Sequence, residues 1–421
     1  MNQMYYRPSN LLTFIWITAI SLTAPSYANW PQWRGATGTG EWNPDSFPGK
    51  LEEDAVKTLW KQRINGGYAG VTVDGERVFT MDYAKTPAEQ ERILCFQANT
   101  GTLLWEHAYE VRYDSLDYGS GPRASVTIDG DFAYTLGAVG HAFCLEVATG
   151  RVVWSIDTVA ALRAQIPTWG FAASPVIWNE LAILHVGAQP GGSYIAVDKK
   201  TGKEVWRSSN DPAGYCTPFH IERAGIEQFI GWTPEHIHGI SPADGKVQWS
   251  IPYKVKYGVS IASPIFADGI ALVSGYWHGT RAIQLDPKLE TAKLLWSDEE
   301  NLCGLMSQPL HKDGHIYLLD KANGLICFEL ATGRILWKDA HQTTPADRNP
   351  QASLVWADKA NDLICALNAN GELIVATCTP EGFTEQSRMQ LIGKTWAHPA
   401  FSKNRIYARS DREIVAVQLW Q

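Results

Sequence analysis

The sequence lacks the short motifs that identify most hydrolases, nucleotide-binding proteins and redox proteins. Its 421 residues contain no Gly-x-Ser-x-Gly turn, no glycine-rich phosphate loop, no His-Glu-x-x-His helix and no Cys-x-x-Cys pair. Aspartate and glutamate are scattered, without a convincing pair for acid–base chemistry. The sequence therefore carries no specific catalytic signal, and a redox pair, a zinc ribbon or a haem attachment site has no support.

An excess of positive charge is also absent. The chain has 36 Lys and Arg against 44 Asp and Glu, a formal net charge of −8. Proteins that bind nucleic acids or anionic membranes through their general surface are usually basic. The composition therefore argues against both classes of partner.

Long apolar runs are confined to the N-terminus. A weakly basic start with Arg7 precedes the apolar run Leu11 to Ala24, and Ser26-Tyr27-Ala28 fits a small-x-small cleavage site. A membrane anchor is the alternative, but about 14 apolar residues fall short of the ~20 that a spanning helix needs. We expect residues 1–28 to be a signal peptide, no membrane anchor after cleavage, and a periplasmic or secreted protein.

The seven cysteines do not form an obvious disulfide framework. An odd number in an exported chain leaves at least one thiol unpaired. Cys95, Cys144 and Cys327 occupy the same place in three repeats, which puts them in equivalent strands of different sheets, too far apart to bridge. Buried free thiols that pack as small hydrophobes are the favoured interpretation.

What the sequence has is a repeat. In the stretch 196–206, AVDKKTGKEVW, a strand leads through the Thr201-Gly202 turn to a second strand that ends at Trp206. Drifting copies end at Trp105, Trp154, Trp249 and Trp337, a looser copy ends at Trp296, and Trp60 stands alone upstream. Their spacing of about 41 to 52 residues is within the range of β-propeller blades.

The chemistry of the repeat agrees with that interpretation. Asn, Asp or Thr before Gly supplies the positive φ that a hairpin turn needs. A tryptophan at one fixed place in each repeat could pack one four-stranded sheet against the next, as in a Trp-docking motif. A single sheet cannot bury its own faces, so the sheets must close into a ring.

The sequence thus predicts an all-β fold, an eight-bladed β-propeller. We expect an irregular N-terminal cap over 29–54 and a single propeller domain over 55–421. Blade one carries a polar insertion from Asp82 to Arg92. The last segment, His398 to Leu419, offers three strands, so the strand around Trp60 must supply the fourth and close the ring with both termini. Seven blades remain the alternative if blade seven, which lacks the tryptophan, is irregular.

The loops that lead into the innermost strands and the turns between the second and third strands share one face of a propeller. Aromatic residues, histidines and an arginine concentrate there and predict a binding surface around a central funnel. The candidate residues are Arg123, Trp169, Tyr215, Tyr257, Trp277, His278 and His398. The aromatic residues could instead only plug the channel, and Arg123 could equally form a structural salt bridge.

A metal site is a weaker possibility on the same face. His236 and His238 would place both rings on one side of an extended strand, and His278 or His141 from a neighbouring blade could join them. Histidines in turns are far commoner without a metal or a catalytic role. No metal is therefore predicted, and these two residues stay weak candidates.

The repeats resemble those of the PQQ-like (pyrroloquinoline-quinone-like) β-propeller family. The resemblance is carried by residues 195–206, by Ser174-Pro175-Val176 and 262–265 as openings of innermost strands, and by the N-terminal 30–35, WPQWRG. It covers nearly the whole chain after residue 28 and is specific for the fold, not for the function.

The resemblance implies two kinds of function. Quinoprotein alcohol and sugar dehydrogenases of the family hold the quinone in the funnel with calcium and a catalytic Asp, and many have adjacent cysteines, which are missing here. The other kind is a scaffold, similar to the propeller subunit of the outer-membrane barrel-assembly machine. That subunit is a lipoprotein, whereas this chain has no lipid-attachment cysteine.

We favour a non-catalytic binding or scaffold protein, a monomer without a cofactor, whose funnel face binds a protein or carbohydrate-like partner. A PQQ-dependent oxidoreductase with calcium is the first alternative. A lyase or hydrolase acting on an acidic polysaccharide through the histidines and Arg123 is a weaker one.

Overall fold

The computed structural model describes Met1 and residues 29–114 and 116–421. The expected signal peptide falls almost entirely on residues 2–28, which lie outside this range. The described residues form eight four-stranded antiparallel sheets, as predicted. None of their helices is long and apolar enough to cross a membrane.

The first strand in the chain, β1 (Lys57–Arg63), belongs to the last blade. Blade one consists of β2 (Thr72–Asp74), β3 (Arg77–Ala84), β4 (Gln90–Gln97) and β5 (Leu103–Glu110). Blade two consists of β6 (Thr127–Asp129), β7 (Phe132–Leu136), β8 (His141–Glu146) and β9 (Val152–Asp157). The helix α1 (Thr158–Leu162) follows, and the side chain of Asp157 caps its N-terminus.

Blade three consists of β10 (Val176–Trp178), β11 (Leu181–Ala188), β12 (Gly192–Asp198) and β13 (Glu204–Ser208). Blade four consists of β14 (Phe219–Arg223), β15 (Ile226–Trp232), β16 (His236–Ile240) and β17 (Val247–Pro252). A short 3₁₀ turn, Lys256–Gly258, precedes blade five. Blade five consists of β18 (Ile265–Ala267), β19 (Ile270–Gly275), β20 (Gly279–Leu285) and β21 (Ala292–Asp298).

Blade six consists of β22 (Leu310–Lys312), β23 (His315–Asp320), β24 (Gly324–Glu329) and β25 (Ile335–Lys338). Blade seven consists of β26 (Ala352–Asp358), β27 (Leu363–Asn368), β28 (Glu372–Thr379) and β29 (Gly382–Gln390). Blade eight takes β30 (Ala400–Ser402), β31 (Arg405–Arg409) and β32 (Glu413–Gln418) from the end of the chain.

The two ends of the chain close the ring. β1 pairs antiparallel with β32, from Lys57 opposite Gln418 to Arg63 opposite Glu413, and the Lys61 ammonium lies 3.2 Å from the Glu413 carboxylate. Because β1 becomes the fourth strand of blade eight, that blade is complete. The prediction of eight blades with one built from both termini is confirmed.

Burial follows position within the blade. The second and third strands of each blade are almost wholly buried, as in β27 and β19, because neighbouring blades cover both of their faces. The outermost strands alternate between buried and exposed residues, as in β5. The innermost strands are short, most of them three residues, and surround the central channel.

Tryptophans join successive blades. The Trp154 Nε1–H donates to the Lys199 carbonyl of the next blade at 2.9 Å, and the indole lies over Gly202 in that turn. The same bond recurs from five other tryptophans: Trp60, Trp105, Trp206, Trp296 and Trp337. Trp249 differs, because its indole donates to Gln228 within its own blade. The turn glycine thus supplies both a positive φ and the space that the neighbouring indole occupies.

The seven cysteines are all free and buried. Cys95, Cys144 and Cys327 occupy the third strands of three different blades, each directly opposite the tryptophan of the fourth strand. Their equivalence, predicted from the repeat, therefore holds in the structure.

The expected polar insertion of blade one is wrong. Asp82 and Arg92 face each other on β3 and β4, and the Arg92 Nη2 lies 2.6 Å from the Asp82 carboxylate. This ion pair stabilises the pairing of β3 with β4, so the strands extend into a polar stretch that the sequence suggested to be an insertion.

Residues 29–43 cross the ring on the face opposite the loops that lead into the innermost strands. Trp30 forms a bridge with Val73 of blade one, and Trp33 donates its indole N–H to Ser263 Oγ near blade five. Arg34 then donates to the Pro309 carbonyl of blade six, and Trp42 donates to the Lys403 carbonyl of blade eight. This base segment, as we call residues 29–43, closes one end of the channel.

Candidate functional site

A cavity of about 490 Å³ opens at the end of the channel opposite the base segment. It is lined by the loops that lead into the innermost strands and by a turn between the second and third strands of blade five. Nine aromatic residues contribute to its wall: Trp33, Tyr68, Tyr118, Trp169, Tyr215, Tyr257, Tyr276, Trp277 and Trp396. We call the outer part of this cavity the mouth.

Six of the seven residues singled out from the sequence line this cavity: Arg123, Trp169, Tyr215, Tyr257, Trp277 and His398. His278 does not line it, although it directly follows Trp277. Tyr276 and Trp277 of that turn both line the cavity, so the lining ends one residue before His278.

One wall of the mouth is a row of aromatic rings. Trp169 packs against Tyr215 with ring centroids 5.3 Å apart, and the Tyr215 hydroxyl accepts a hydrogen bond from the Trp169 backbone N–H. Tyr118 lies 6.2 Å from Trp169 and 5.9 Å from Trp396, measured between ring centroids. The row joins four separate loops into a continuous apolar surface.

Arg123 holds in place the loop that carries Tyr118. Its guanidinium donates to the backbone carbonyls of Asp117, Tyr118 and Gly121 and lies 5.3 Å from the centre of the Tyr68 ring. Burial lowers its pKa, and neighbouring tyrosines oppose that shift. Among the described residues no carboxylate lies within ion-pair distance of Arg123, and its guanidinium is held by backbone carbonyls. The salt bridge that the sequence left open as an alternative is therefore not formed in the described part of the chain.

The opposite wall is exposed and combines aromatic rings with lysines. Tyr257 is 65% exposed and Trp277 is 41% exposed. The Lys256 ammonium lies 5.1 Å from the Tyr257 ring and 5.3 Å from the Trp277 ring. The Lys321 ammonium lies 5.6 Å from Trp277, so this indole lies between two cations.

Tyr257 has an unusual backbone conformation. Its φ of 57° lies in the left-handed region, which a residue with a Cβ adopts at a cost of about 1–3 kcal/mol. The strained conformation presents a large aromatic side chain to solvent instead of burying it. Such an arrangement is typical of residues that are placed for binding.

The base of the cavity is closed by His398 and Trp33, whose rings lie 4.3 Å apart. Burial, together with the nearby Arg34 charge, lowers the pKa of His398 to about 3. This imidazole is therefore neutral at physiological pH. It serves as an aromatic floor and not as a cation.

Sequence reasoning missed several lining residues. Tyr276 precedes Trp277 in the same turn, and Tyr118 and Asp117 lie in a loop that the repeat pattern does not describe. Trp33 belongs to the base segment, and nothing in the sequence indicates that it reaches the channel axis. The Tyr276-Trp277 pair in a blade turn was the one signal that could have identified a further residue.

The charges on the cavity wall are unequal. Arg123 and Arg348 line it, whereas Asp117 is the one carboxylate among the described lining residues. Lys256 and Lys321 add positive charge beside Trp277. The mouth is thus locally positive on a protein whose net charge is −8.

These residues do not fit a calcium-bound quinone. Calcium takes 6–8 oxygen ligands and prefers several carboxylates. The cavity offers one carboxylate, and the side-chain oxygens of Gln308 and Gln351 already accept bonds from Ser263 N–H and Ser307 Oγ–H. The adjacent cysteine pair expected beside a quinone is missing from the sequence as well.

His236 and His238 lie on β16 outside this cavity. The expectation that His141 or His278 would join them is wrong. The third member of the group is Asp211, in the loop between blades three and four. No pattern in the sequence links Asp211 to the histidines, because the loop conformation that brings it there depends on the packing of two blades.

Comparison with known proteins identifies relatives of two kinds. The family model described as outer membrane protein assembly factor BamB matches residues 89–339. The dehydrogenase subunit of alcohol dehydrogenase (quinone) from Komagataeibacter europaeus is 26% identical over 232 residues. That match covers 50% of this chain and only 30% of the relative.

Solved structures of both kinds are similar in fold. BamB from Moraxella catarrhalis superimposes with a TM-score of 0.62 at 15% identity, covering 86% of this chain and 99% of that one. A europium-containing methanol dehydrogenase superimposes with a TM-score of 0.70 at 10% identity, covering 94% of this chain and 98% of that one. At such identities the similarity establishes a shared fold and does not discriminate between a scaffold and a dehydrogenase.

Proposed function

Because the chain belongs to the family of the outer membrane protein assembly factor BamB, we propose that it is a non-catalytic binding protein that takes up a segment of a protein partner at the mouth of its propeller. The observation that carries this proposal is the solvent-exposed Tyr257–Trp277 wall, with two lysines beside it.

The aromatic residues would supply most of the affinity. Tyr and Trp are over-represented among the few residues that dominate the energy of protein interfaces, because they bury a large area with few rotatable bonds. Large exposed aromatic groups in one patch usually mark a binding surface. In this protein they surround a concave space of about 490 Å³, which suits a loop or an extended segment better than a flat surface.

The charges favour an acidic segment. Arg123, Arg348, Lys256 and Lys321 surround a mouth with one carboxylate among its described lining residues. A positive rim attracts and orients an anionic partner, although it contributes more to association rate and specificity than to affinity. We therefore propose a partner segment in which aspartate or glutamate alternates with apolar residues.

The N-terminal sequence supports a location for this activity. A weakly basic start, an apolar run and a small-x-small site suit export. We propose that the protein acts outside the cytoplasm, in the periplasm or after secretion, and that it does so as a monomer.

A quinone-dependent oxidoreductase is the second candidate, and one observation favours it: the 26% identity with a quinone-dependent alcohol dehydrogenase subunit. The donor set of the cavity does not support calcium binding, so we rank this function second. A lyase or hydrolase is not proposed, because His236 and His238 lie outside the cavity and His398 is buried and neutral.

Site-specific photocrosslinking in the cells that produce the protein tests the proposal. A photoreactive phenylalanine analogue at position 277 should form an adduct with another protein. The matched control is position 205, where Val205 is 53% exposed on the outermost strand of blade three, far from the mouth. An adduct with a protein at 277 and none at 205 is the expected result.

Affinity measurements complete the test. With the crosslinked protein as ligand, Trp277→Ala should weaken binding at least about 30-fold, the loss typical of a dominant interface residue. The melting temperature should not fall, since Trp277 is exposed. Equal crosslinking at 277 and 205 would refute the proposal. A glycan adduct, or saturable binding of pyrroloquinoline quinone with dye reduction, would replace it with the carbohydrate or the oxidoreductase alternative.

A further inference from the structure

The group of Asp211, His236 and His238 is distinct from the mouth and has no part in the function proposed above. We propose that these three residues form a binding site for one divalent transition-metal ion, with Zn²⁺ as the representative ion.

The fold brings the three residues together for a simple reason. His236 and His238 are alternate residues of β16, so both rings project from the same face of the sheet. Asp211 comes from the loop between β13 and β14, which crosses that face as the chain passes from blade three to blade four. Blade four and the loop that leads into it therefore supply all three residues.

The distances suit a metal ion. Asp211 Oδ2 lies 2.9 Å from His236 Nδ1 and 3.0 Å from His238 Nε2, and all three candidate ligand atoms lie within 4.8 Å of one another. An ion with bonds of 2.0–2.2 Å to nitrogen and oxygen holds its ligand atoms about 3 to 3.6 Å apart. Only small side-chain shifts are needed to reach that spacing.

The chemistry of the ligands is equally suitable. Two imidazoles and one carboxylate are a common set for zinc and for other divalent transition metals, and they leave positions open for water or a partner. His236 is about 35% exposed, so the group is accessible from solvent. Asp211 and His238 are largely buried, which limits competition by water.

Neighbouring hydroxyl groups hold the ligands in place. The Thr233 Oγ1–H donates to Asp211 Oδ2 at 2.6 Å, and Ser209 Oγ lies 3.2 Å from His238 Nε2. Both hydroxyl groups contact the candidate ligand atoms themselves, so the Ser209 contact would have to give way to a bound ion. The Nδ1 of His238 is buried without a hydrogen-bond partner among the described residues, so this ring is held through Nε2 alone.

The charge of the site is not balanced by a fixed cation. Among the described residues, the ion-pair partners of the Asp211 carboxylate are the two histidines, and no Lys or Arg pairs with it. A divalent cation would supply positive charge at this point. For each imidazole to bind it, the proton on His236 Nδ1 or His238 Nε2 must move to the other ring nitrogen or be released to solvent, so that a lone pair faces the ion.

Calorimetric titration of the chelator-treated, tag-free protein with Zn²⁺ tests the inference. Binding of one ion per chain is expected. His236→Ala and His238→Ala should each weaken binding at least about 10- to 100-fold, the loss seen in metal sites when even an outer partner is removed. Cobalt(II) should give visible absorption bands in the wild type and not in these variants.

The matched control is His220→Ala. His220 lies on the same blade and pairs with Glu227 at 3.1 Å, but among the described residues no third ligand joins them. Zinc binding should be unchanged in this variant. The inference is refuted if the wild type shows no saturable binding, or if His236→Ala binds zinc as the wild type does. Since His236 is partly exposed, we expect His236→Ala to fold, and circular dichroism checks this. A loss of zinc binding in the folded variant then reflects the loss of the ligand and not unfolding.

Discussion

The junction between blades two and three can be tested at a single glycine. Gly202, in the turn of blade three, has a φ of 72°, and a Cβ at this position would lie 2.9 Å from the indole of Trp154 in blade two. Gly314, in the first turn of blade six, has a φ of 75°, and a Cβ there would meet nothing within 4 Å. The two positions share one backbone conformation and differ in what surrounds it.

Alanine at either position incurs the same conformational cost, about 1–2 kcal/mol for an L-residue in the left-handed region. Alanine at 202 must also displace the Trp154 indole, and overpacking of this kind costs a further ~1–3 kcal/mol. We therefore expect Gly314→Ala to lose about 1–2 kcal/mol of unfolding free energy and Gly202→Ala to lose about 2–5 kcal/mol.

Urea unfolding followed by tryptophan fluorescence and circular dichroism measures the difference. Gly202→Ala should cost less in a Trp154→Leu background than in the wild type, because the smaller side chain leaves room for the new methyl group. Equal losses in the two alanine variants would show that the indole does not confine this turn. The account of how successive blades are joined would then be wrong.

Two further predictions concern buried groups. All seven cysteines are buried, and burial raises the pKa of Cys95, Cys144 and Cys327 to about 12. They should therefore not react with a thiol reagent at pH 8 in the native protein, whereas all seven should react after unfolding. Rapid reaction before unfolding would contradict the structure. Glu91 is fully buried, and burial raises its pKa above the ordinary 4.5 although Tyr109, Tyr113 and the Ala138 N–H donate to it. Its protonated form therefore stabilises the fold below pH 4.5, and this contribution is lost as pH rises through the folded-state pKa. As the pH rises through the folded-state pKa of Glu91, the urea midpoint of the wild type should fall relative to that of Glu91→Gln. Parallel plots of midpoint against pH for the two proteins would refute the raised pKa of Glu91.

The ring could be predicted from the sequence because most blades repeat the same turn and the same tryptophan that docks on the next blade. A turn with Gly at positive φ and a tryptophan four residues later occur in five blades at nearly fixed spacing, so these copies reinforce one another. The lone strand around Trp60 could then be assigned to the last blade, since three strands at the end of the chain lacked a partner.

The candidate site was only partly predictable. Arg123, Trp169 and Trp277 were placed near the mouth by their position within a blade, which the repeat fixes. Asp211, Tyr118 and Lys256 lie in loops between blades. The conformation of these loops depends on side chains from two or three blades, and no periodicity records it.

The pairing of β1 with β32 has a consequence for how the protein is made. β1 cannot pair until β32 has been synthesised, and until then β1 and the edge of the newest blade present unpaired backbone groups. Contacts between the two ends of a chain are slow to form, so the ring should close last, from an open crescent. A variant that lacks only β32 (Glu413–Gln418) would leave β1 without a partner, so the ring would stay open. In the cell such a chain would be a substrate for chaperones and proteases.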